Sequence, residues 1–262
     1  MKRPLLLLAL TCLGLAACGG GATAAAPAAS PTAVPSASPP ESIEAKGFAA
    51  KLLAEGPLPQ LPASPYYINV LDLPQDAGGT ITHSHVGGFV YGVSGITTMK
   101  QADGTQTALN SGEAAFIGSG VAHTHLNAGS TTNDWYYVCL RPSSTRNGAP
   151  IVAGQKVLFE TPDLPELAAG AYTERLMLVT IEEGGRGAPH THGGIETLYV
   201  LSGTVRLRLA GRDVVLKAGE GFSHPGGTPI QDVNAGPGQA RTLAFFVTPN
   251  GAPFRTDTGT AP

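Results

Sequence analysis

The sequence predicts an all-β protein built from two tandem β-barrels, and three observations support this fold class. Only 13% of the 262 residues are charged, while 35 are Gly and 22 are Pro, a composition that favours strands and turns over helices. Short segments alternate apolar and polar side chains with the period of a β-strand. One stretch of sequence also occurs twice, about 107 residues apart, which indicates two copies of one domain.

The chain begins with the features of an export signal. Two basic residues and an apolar stretch too short to span a bilayer precede Leu15-Ala16-Ala17-Cys18. This ending resembles the lipobox of bacterial lipoproteins, which implies cleavage after residue 17 and attachment of lipid to Cys18. An ordinary signal peptide with a chance cysteine is the alternative. We therefore expect an exported lipoprotein of the cell membrane or outer membrane, facing the periplasm or the exterior.

The next segment, residues 18–60, is rich in Ala, Pro and Ser and has no apolar periodicity. Such a composition predicts a tether that holds a folded body away from the membrane, with one short helix around residues 46–53. The folded body then divides into a first barrel, residues 61–148, a second barrel, residues 149–250, and a flexible tail, residues 251–262. The formal charge of −3 and the lack of a basic stripe exclude nucleic-acid binding.

The two copies share a His-X-His motif and the turns that follow it. His83-Ser84-His85 in the first copy corresponds to His190-Thr191-His192 in the second, and Asn127-Ala128-Gly129 corresponds to Asn234-Ala235-Gly236. A His-X-His pair on a strand places both imidazoles on one face, where they can bind the same ion. All seven histidines lie within the repeated segments: His83, His85, His123, His125, His190, His192 and His224.

The spacing of these motifs resembles that of the cupins, and specifically of bicupins with two jelly-roll barrels. In the second copy, Gly184, His190, His192, Glu196 and Gly203 fit the family's first motif. The second motif is matched as well, except that its usual histidine is replaced. The matching residues are Gly219, Pro225, Gly227 and Asn234, and Ile230 stands at the position of the usual histidine. The first copy keeps that histidine but has Gly88 or Phe89 where the family has glutamate.

For the first barrel, the resemblance implies a metal bound by His83, His85 and His123. His125 lies two residues further along the same strand face, and its role stays open. It is a fourth ligand, a base beside the ligands, a residue of the barrel mouth, or a core residue that only forms hydrogen bonds.

For the second barrel, the resemblance implies His190, His192 and Glu196 as metal ligands. Asp232 aligns with His125 and His224 aligns with Ile117, so both are candidates to compensate for Ile230. The alternative is that this barrel has become a scaffold without metal. We therefore expect His123→Ala to remove more bound metal than His190→Ala.

These features predict a membrane-anchored metalloprotein that binds a small molecule. The first hypothesis is a divalent-metal-dependent enzyme acting on a small oxygenated substrate, dioxygenase-like and with a layout similar to that of quercetinases. The alternative is a lipoprotein that binds a metal or a small ligand, such as a sugar, without catalysis. Imidazole-rich sites accept Fe, Mn, Ni, Cu or Zn, so the sequence leaves the metal open, along with the substrate and the oligomeric state. Cys139, in a strand-like apolar run, is predicted to be a buried core residue.

Overall fold

The protein is described here from a computed structural model that covers residues 33–34, 44–84, 86–148, 150, 154–164 and 167–262. Almost all regular structure in these ranges is β-strand, and the single helix found there is the short 3₁₀ turn Ser143–Thr145. The predicted all-β class is therefore confirmed. No helix in these ranges has the length and apolarity needed to cross a membrane. The export signal and Cys18 lie outside the described residues.

The first barrel consists of two antiparallel sheets that enclose one apolar interior. The sheets have the strand orders β11-β3-β10-β5-β8 and β4-β9-β6-β7. Their strands are β3 (Tyr66–Gln75), β4 (Thr80–His83), β5 (Gly88–Ser94), β6 (Thr97–Gln101), β7 (Gln106–Leu109), β8 (Ala114–Ile117), β9 (His123–Leu126), β10 (Asn133–Pro142) and β11 (Lys156–Glu160). The predicted turn at Asp103-Gly104 connects β6 to β7, and Gly104 adopts the left-handed φ of 88° that this turn requires.

The second barrel is formed from one larger sheet, in which the path β16-β15-β18-β12-β19-β14-β17 repeats the topology of the first barrel. Its strands are β12 (Gly170–Arg186), β13 (His190–His192), β14 (Ile195–Ser202), β15 (Thr204–Leu209), β16 (Arg212–Lys217), β17 (Gly221–His224), β18 (Ile230–Asn234), β19 (Ala240–Pro249) and β20 (Arg255–Asp257). A two-residue strand, β1 (Ala33–Val34), pairs with the edge strand β16.

Two strands cross between the predicted domains. β2 (Lys46–Leu61) lies antiparallel to β12 of the second barrel for most of its length. In the other direction, β11 lies beyond the predicted boundary at residue 148 but pairs with β3 of the first barrel. Each barrel therefore completes its sheet with a segment that the sequence-based boundaries place elsewhere.

The structure corrects the predicted helix around residues 46–53 and the extent of the tether. The predicted helix lies wholly within β2 and the tether overlaps it from residue 46, so the folded body includes residues from Lys46 onward. The long strand β12 offers a full ladder of backbone hydrogen bonds, and this tertiary pairing overrides the local helix preference of the Ala- and Leu-containing segment. Phe48 and Leu53 pack on the body as expected, whereas Leu52 is 46% exposed.

The C-terminal segment also differs from the expected flexible tail. β20 pairs with β13, the strand that carries His190 and His192. Phe254, just before β20, packs between His192 and Phe246, with ring centroids 4.9 Å from each. These contacts hold the segment against the second barrel, and composition alone did not reveal them.

Three apolar clusters stabilise this arrangement. One fills each barrel, and the third joins them, since it contains side chains of both barrels such as Phe89 and Phe245, whose rings are 5.8 Å apart. Cys139 is buried in the first barrel, where its thiol donates a hydrogen bond to Asn69 Oδ1 at 2.9 Å. Burial raises the pKa of this thiol, so the predicted core role of Cys139 is confirmed.

Candidate metal centres

In the first barrel, three histidines converge from two neighbouring strands. His83 on β4 lies directly opposite His123 on β9, and His125 follows two residues later on the same face. Each histidine offers a ring nitrogen, and all three nitrogens lie within 4.8 Å of one another. The Nε2 atoms of His123 and His125 are 3.0 Å apart. His85, the remaining predicted ligand of this barrel, lies outside the described residues.

The surroundings of these rings prepare them to bind a metal. The carbonyl oxygen of Val121 can only accept a hydrogen bond, so the His123 Nδ1–H donates to it at 2.8 Å, and this leaves the lone pair on Nε2. Burial lowers the pKa of His123, which keeps its ring neutral at neutral pH. The His125 ring stacks on Trp135 at 4.0 Å with an interplanar angle of 12°. Neutral imidazoles with fixed tautomers are the form that ligates transition metals.

In the second barrel, the predicted ligands His190, His192 and Glu196 also come together. One nitrogen or oxygen of each lies within 4.8 Å of the others, and all three side chains are buried. The His190 Nδ1–H donates to the carbonyl of Ala188 at 2.9 Å, and the His192 Nδ1–H donates to that of Phe254 at 2.6 Å. Both Nε2 lone pairs therefore face the barrel interior, the same arrangement as at His123.

Glu196 has a second partner, His224, which lies opposite it on β17. The Nε2 atom of His224 is 3.1 Å from Glu196 Oε2, and that of His192 is 3.6 Å from the same oxygen. Burial alone raises the pKa of Glu196, but the hydrogen bond and charge of His224 outweigh it and the net shift is downward. Burial alone lowers the pKa of His224, and the interaction with Glu196 raises it overall. The carboxylate is therefore ionised in the barrel interior.

Asp232, the aligned counterpart of His125, is also buried inside the second barrel. Its Oδ1 atom has no hydrogen-bond partner among the described residues. Burial first, and then the charge of Glu196, raise the pKa of Asp232 to about 7. This carboxyl group therefore exchanges a proton near neutral pH.

Ile230 occupies the position where the sequence comparison expected a histidine. It lies opposite His190, is fully buried, and packs in the apolar cluster of the second barrel. Strand β18 thus presents hydrocarbon at Ile230 and a carboxyl group at Asp232, while β17 presents His224.

Sequence reasoning missed two residues that support these rings. Trp135 is the only tryptophan of the chain, but nothing in its local sequence indicates that it stacks on His125. Phe254 lies 62 residues from His192 in sequence, so its carbonyl could be placed only by the fold.

The two donor sets define a class of site. Two or three converging imidazoles in each barrel, joined in the second barrel by a carboxylate, fit divalent transition metals and not the all-oxygen shell that Ca²⁺ prefers. Donors borne on facing strands inside a jelly-roll barrel are the arrangement of cupin-type metal proteins. The predicted cofactor, a divalent transition metal, agrees with these donors.

Comparisons with known proteins agree with this class. Residues 177–246 match the family model of the cupin domain, and comparison with curated proteins gives no match. The structure is similar to the oxalate decarboxylase of Lactobacillus farciminis in its formate complex, with a TM-score of 0.54 and 14% identity over 72% of this chain and 80% of that one.

Two structures of Bacillus subtilis oxalate decarboxylase are also similar. A single-substitution variant gives a TM-score of 0.52 and 16% identity over 72% of this chain and 71% of that one. A structure concerned with the Mn(II) centres of that enzyme gives a TM-score of 0.50 and 13% identity over 84% of this chain and 81% of that one. Identities this low establish the fold alone, and the fold is the predicted bicupin, with two cupin barrels packed within one chain.

Proposed function

We propose that this protein is an extracytoplasmic, membrane-anchored bicupin enzyme that uses a divalent transition metal to act on a small oxygenated substrate, in a dioxygenase-like reaction. The observation that carries the proposal is the convergence of three candidate ligand atoms in each barrel. His83, His123 and His125 would hold the metal in the first barrel, and His190, His192 and Glu196 would hold it in the second. When bound, such a metal polarises a substrate oxygen or binds O₂.

The protein's own groups support chemistry on a small polar substrate. In the second barrel, Asp232 can hold or release a proton near neutral pH beside Glu196.

Turnover tests this proposal directly. The purified chain, loaded in turn with Fe(II), Mn(II), Ni(II), Cu(II) or Zn(II), is incubated with diketones, flavonols, thiols and oxalate. Oxygen consumption and NMR of the products distinguish oxidation from decarboxylation, and oxalate is included because the similar structures are oxalate decarboxylases. We expect turnover of at least one compound with at least one metal. Full metal occupancy without any turnover would contradict the enzymatic function.

Metal content in matched variants assigns the barrels. His123→Ala and His190→Ala each remove one candidate ligand, and Thr124→Ala and Thr191→Ala alter the neighbouring residues as controls. We expect the histidine variants to bind less metal than the controls, with the larger loss in His123→Ala. Equal metal content in all four variants would remove the basis of the proposal.

A non-catalytic lipoprotein that binds a metal or small ligand is the second candidate. The observation that favours it is the apolar cluster of the first barrel, in which Trp135 stacks on the His125 ring and Met99 lies opposite His125. This candidate predicts strong stabilisation of the protein by ligand without turnover.

The anchor is tested separately from the chemistry. We expect mass spectrometry of the membrane fraction to find a lipid-modified chain that begins at Cys18. We expect Cys18→Ala to leave the protein in the soluble extracytoplasmic fraction. Recovery of Cys18→Ala in the same fraction as the parent would contradict the anchor.

A further inference from the structure

The two barrels carry their polar cross-strand pairs at different places. In the first barrel the pair His83/His123 joins β4 and β9, and the equivalent pair in the second barrel is His190/Ile230. The second barrel has instead the pair Glu196/His224 between β14 and β17. The equivalent pair in the first barrel is Gly88/Ile117, which has no ligand atom.

We infer that His224 is a metal ligand of the second barrel and takes the place of the histidine that Ile230 has replaced. This inference rests on the part of the proposed function that assigns a metal to this barrel. The donor set is then His190, His192, His224 and Glu196, so the chain moves one ligand from β18 to β17 and keeps three imidazoles.

The position of His224 supports direct ligation. Side chains directly opposite on antiparallel strands have Cβ atoms about 5 Å apart, so an ion bound to Glu196 is within reach of the facing residue. The His224 Nε2 atom already lies 3.1 Å from Glu196 Oε2. His224 is buried, as are His190 and His192.

The ring of His224 is oriented like those of the other histidine ligands. Its Nδ1 atom is 3.3 Å from the carbonyl oxygen of Pro225, which can only accept a hydrogen bond. Nε2 faces Glu196, and because the ionised carboxylate can only accept a hydrogen bond, Nε2–H donates to it. Ligation of a metal would displace this proton and leave Nδ1–H on the Pro225 carbonyl. His190 and His192 use the same device, each with Nδ1–H on a backbone carbonyl and Nε2 toward the interior.

The rearrangement changes which strands supply the ligands of the second centre. Donors come from β13, β14 and β17, whereas β18 contributes the hydrocarbon of Ile230 and, two residues further on, the buried carboxyl group of Asp232. A cavity of 330 Å³ borders His224 on the β17 side.

The test counts the nitrogen atoms on the metal. In the full chain, His83, His123 and His125 are replaced by Ala so that copper is directed to the second barrel, and one equivalent of Cu(II) is added. Pulsed EPR then resolves the ¹⁴N couplings. We expect three imidazole nitrogens in this background, two after His224→Gln, and three after the control substitution Ser223→Ala.

A count of two nitrogens in the background would overturn the inference, because His224 would then only orient Glu196 through a hydrogen bond. That count is made without substituting His224, so it holds even if His224→Gln does not fold. An unchanged count of three after His224→Gln would also overturn it. Metal affinity is not the criterion, since loss of a group that only orients a ligand also weakens binding by about 10- to 100-fold.

The outcome is separable from the fate of the proposed function. Three nitrogens without turnover of any substrate would leave the ligand assignment intact and contradict the enzyme. Turnover together with a count of two nitrogens would support the enzyme and contradict the assignment of His224 as a ligand.

Discussion

Glu174 is a buried residue whose ionisation can be tested directly. Both oxygens of its carboxyl group lack a hydrogen-bond partner among the described residues. The residue lies in β12, between Gly56 of β2 and Val247 of β19, and its side chain is inaccessible to solvent. Burial raises its pKa to about 8. We predict that Glu174→Gln stabilises the folded protein at neutral and alkaline pH.

The sign and size of the effect follow from proton linkage. Because the folded pKa lies above the unfolded value of 4.5, the folded protein keeps a proton that the unfolded chain releases between about pH 4.5 and pH 8. The free energy of unfolding therefore falls as pH rises through this window, by about 1 kcal/mol per pH unit and on the order of 3–5 kcal/mol in total. Glutamine has a similar shape and no charge, so the variant escapes this loss.

The assay is urea unfolding of the parent and Glu174→Gln at intervals from pH 5 to pH 9. The difference in unfolding free energy between the two proteins should be small at pH 5 and should grow toward pH 8 in favour of the variant. Glu182→Gln, at an exposed position of the same strand, is the matched control and should give a constant difference. Parallel curves for the parent and Glu174→Gln would refute the argument that an unpaired carboxyl group is buried there.

Three further predictions address the second barrel and the crossing strand. Ile230→His should raise the affinity of the second barrel for Co(II) by about tenfold or more in a chelator competition, because the new ring lies opposite His190. An unchanged affinity would contradict this placement. Deleting the residues after Asn250 removes the Phe254 carbonyl that orients His192, and should weaken Co(II) binding by about 10- to 100-fold. Gly56→Ala would place a methyl group 2.1 Å from the Phe116 ring and should lower the free energy of unfolding, measured in urea, by about 1–3 kcal/mol. A change near zero would mean that β2 does not pack on β8.

The sequence alone predicted the fold class and most of the donors. The 107-residue repeat indicated two barrels, and the His-X-His spacing placed pairs of imidazoles on one strand face because side chains alternate along a strand. Both inferences use only local periodicity, which a sequence displays directly. The same reasoning identified His224 and Asp232 as candidates near the second site but could not rank them.

The tertiary structure decided the features that depend on contacts between distant residues. The exchange of β2 and β11, the docking of Phe254 on His192 and the pairing of Glu196 with His224 each join residues far apart in the chain. The segment at 46–53 shows the limit most clearly, since its local preference for helix yields to the backbone hydrogen bonds offered by β12. Local composition fixes which residues alternate in and out of a barrel, whereas strand register and order fix which of them meet, and those are set by the packing of the whole chain.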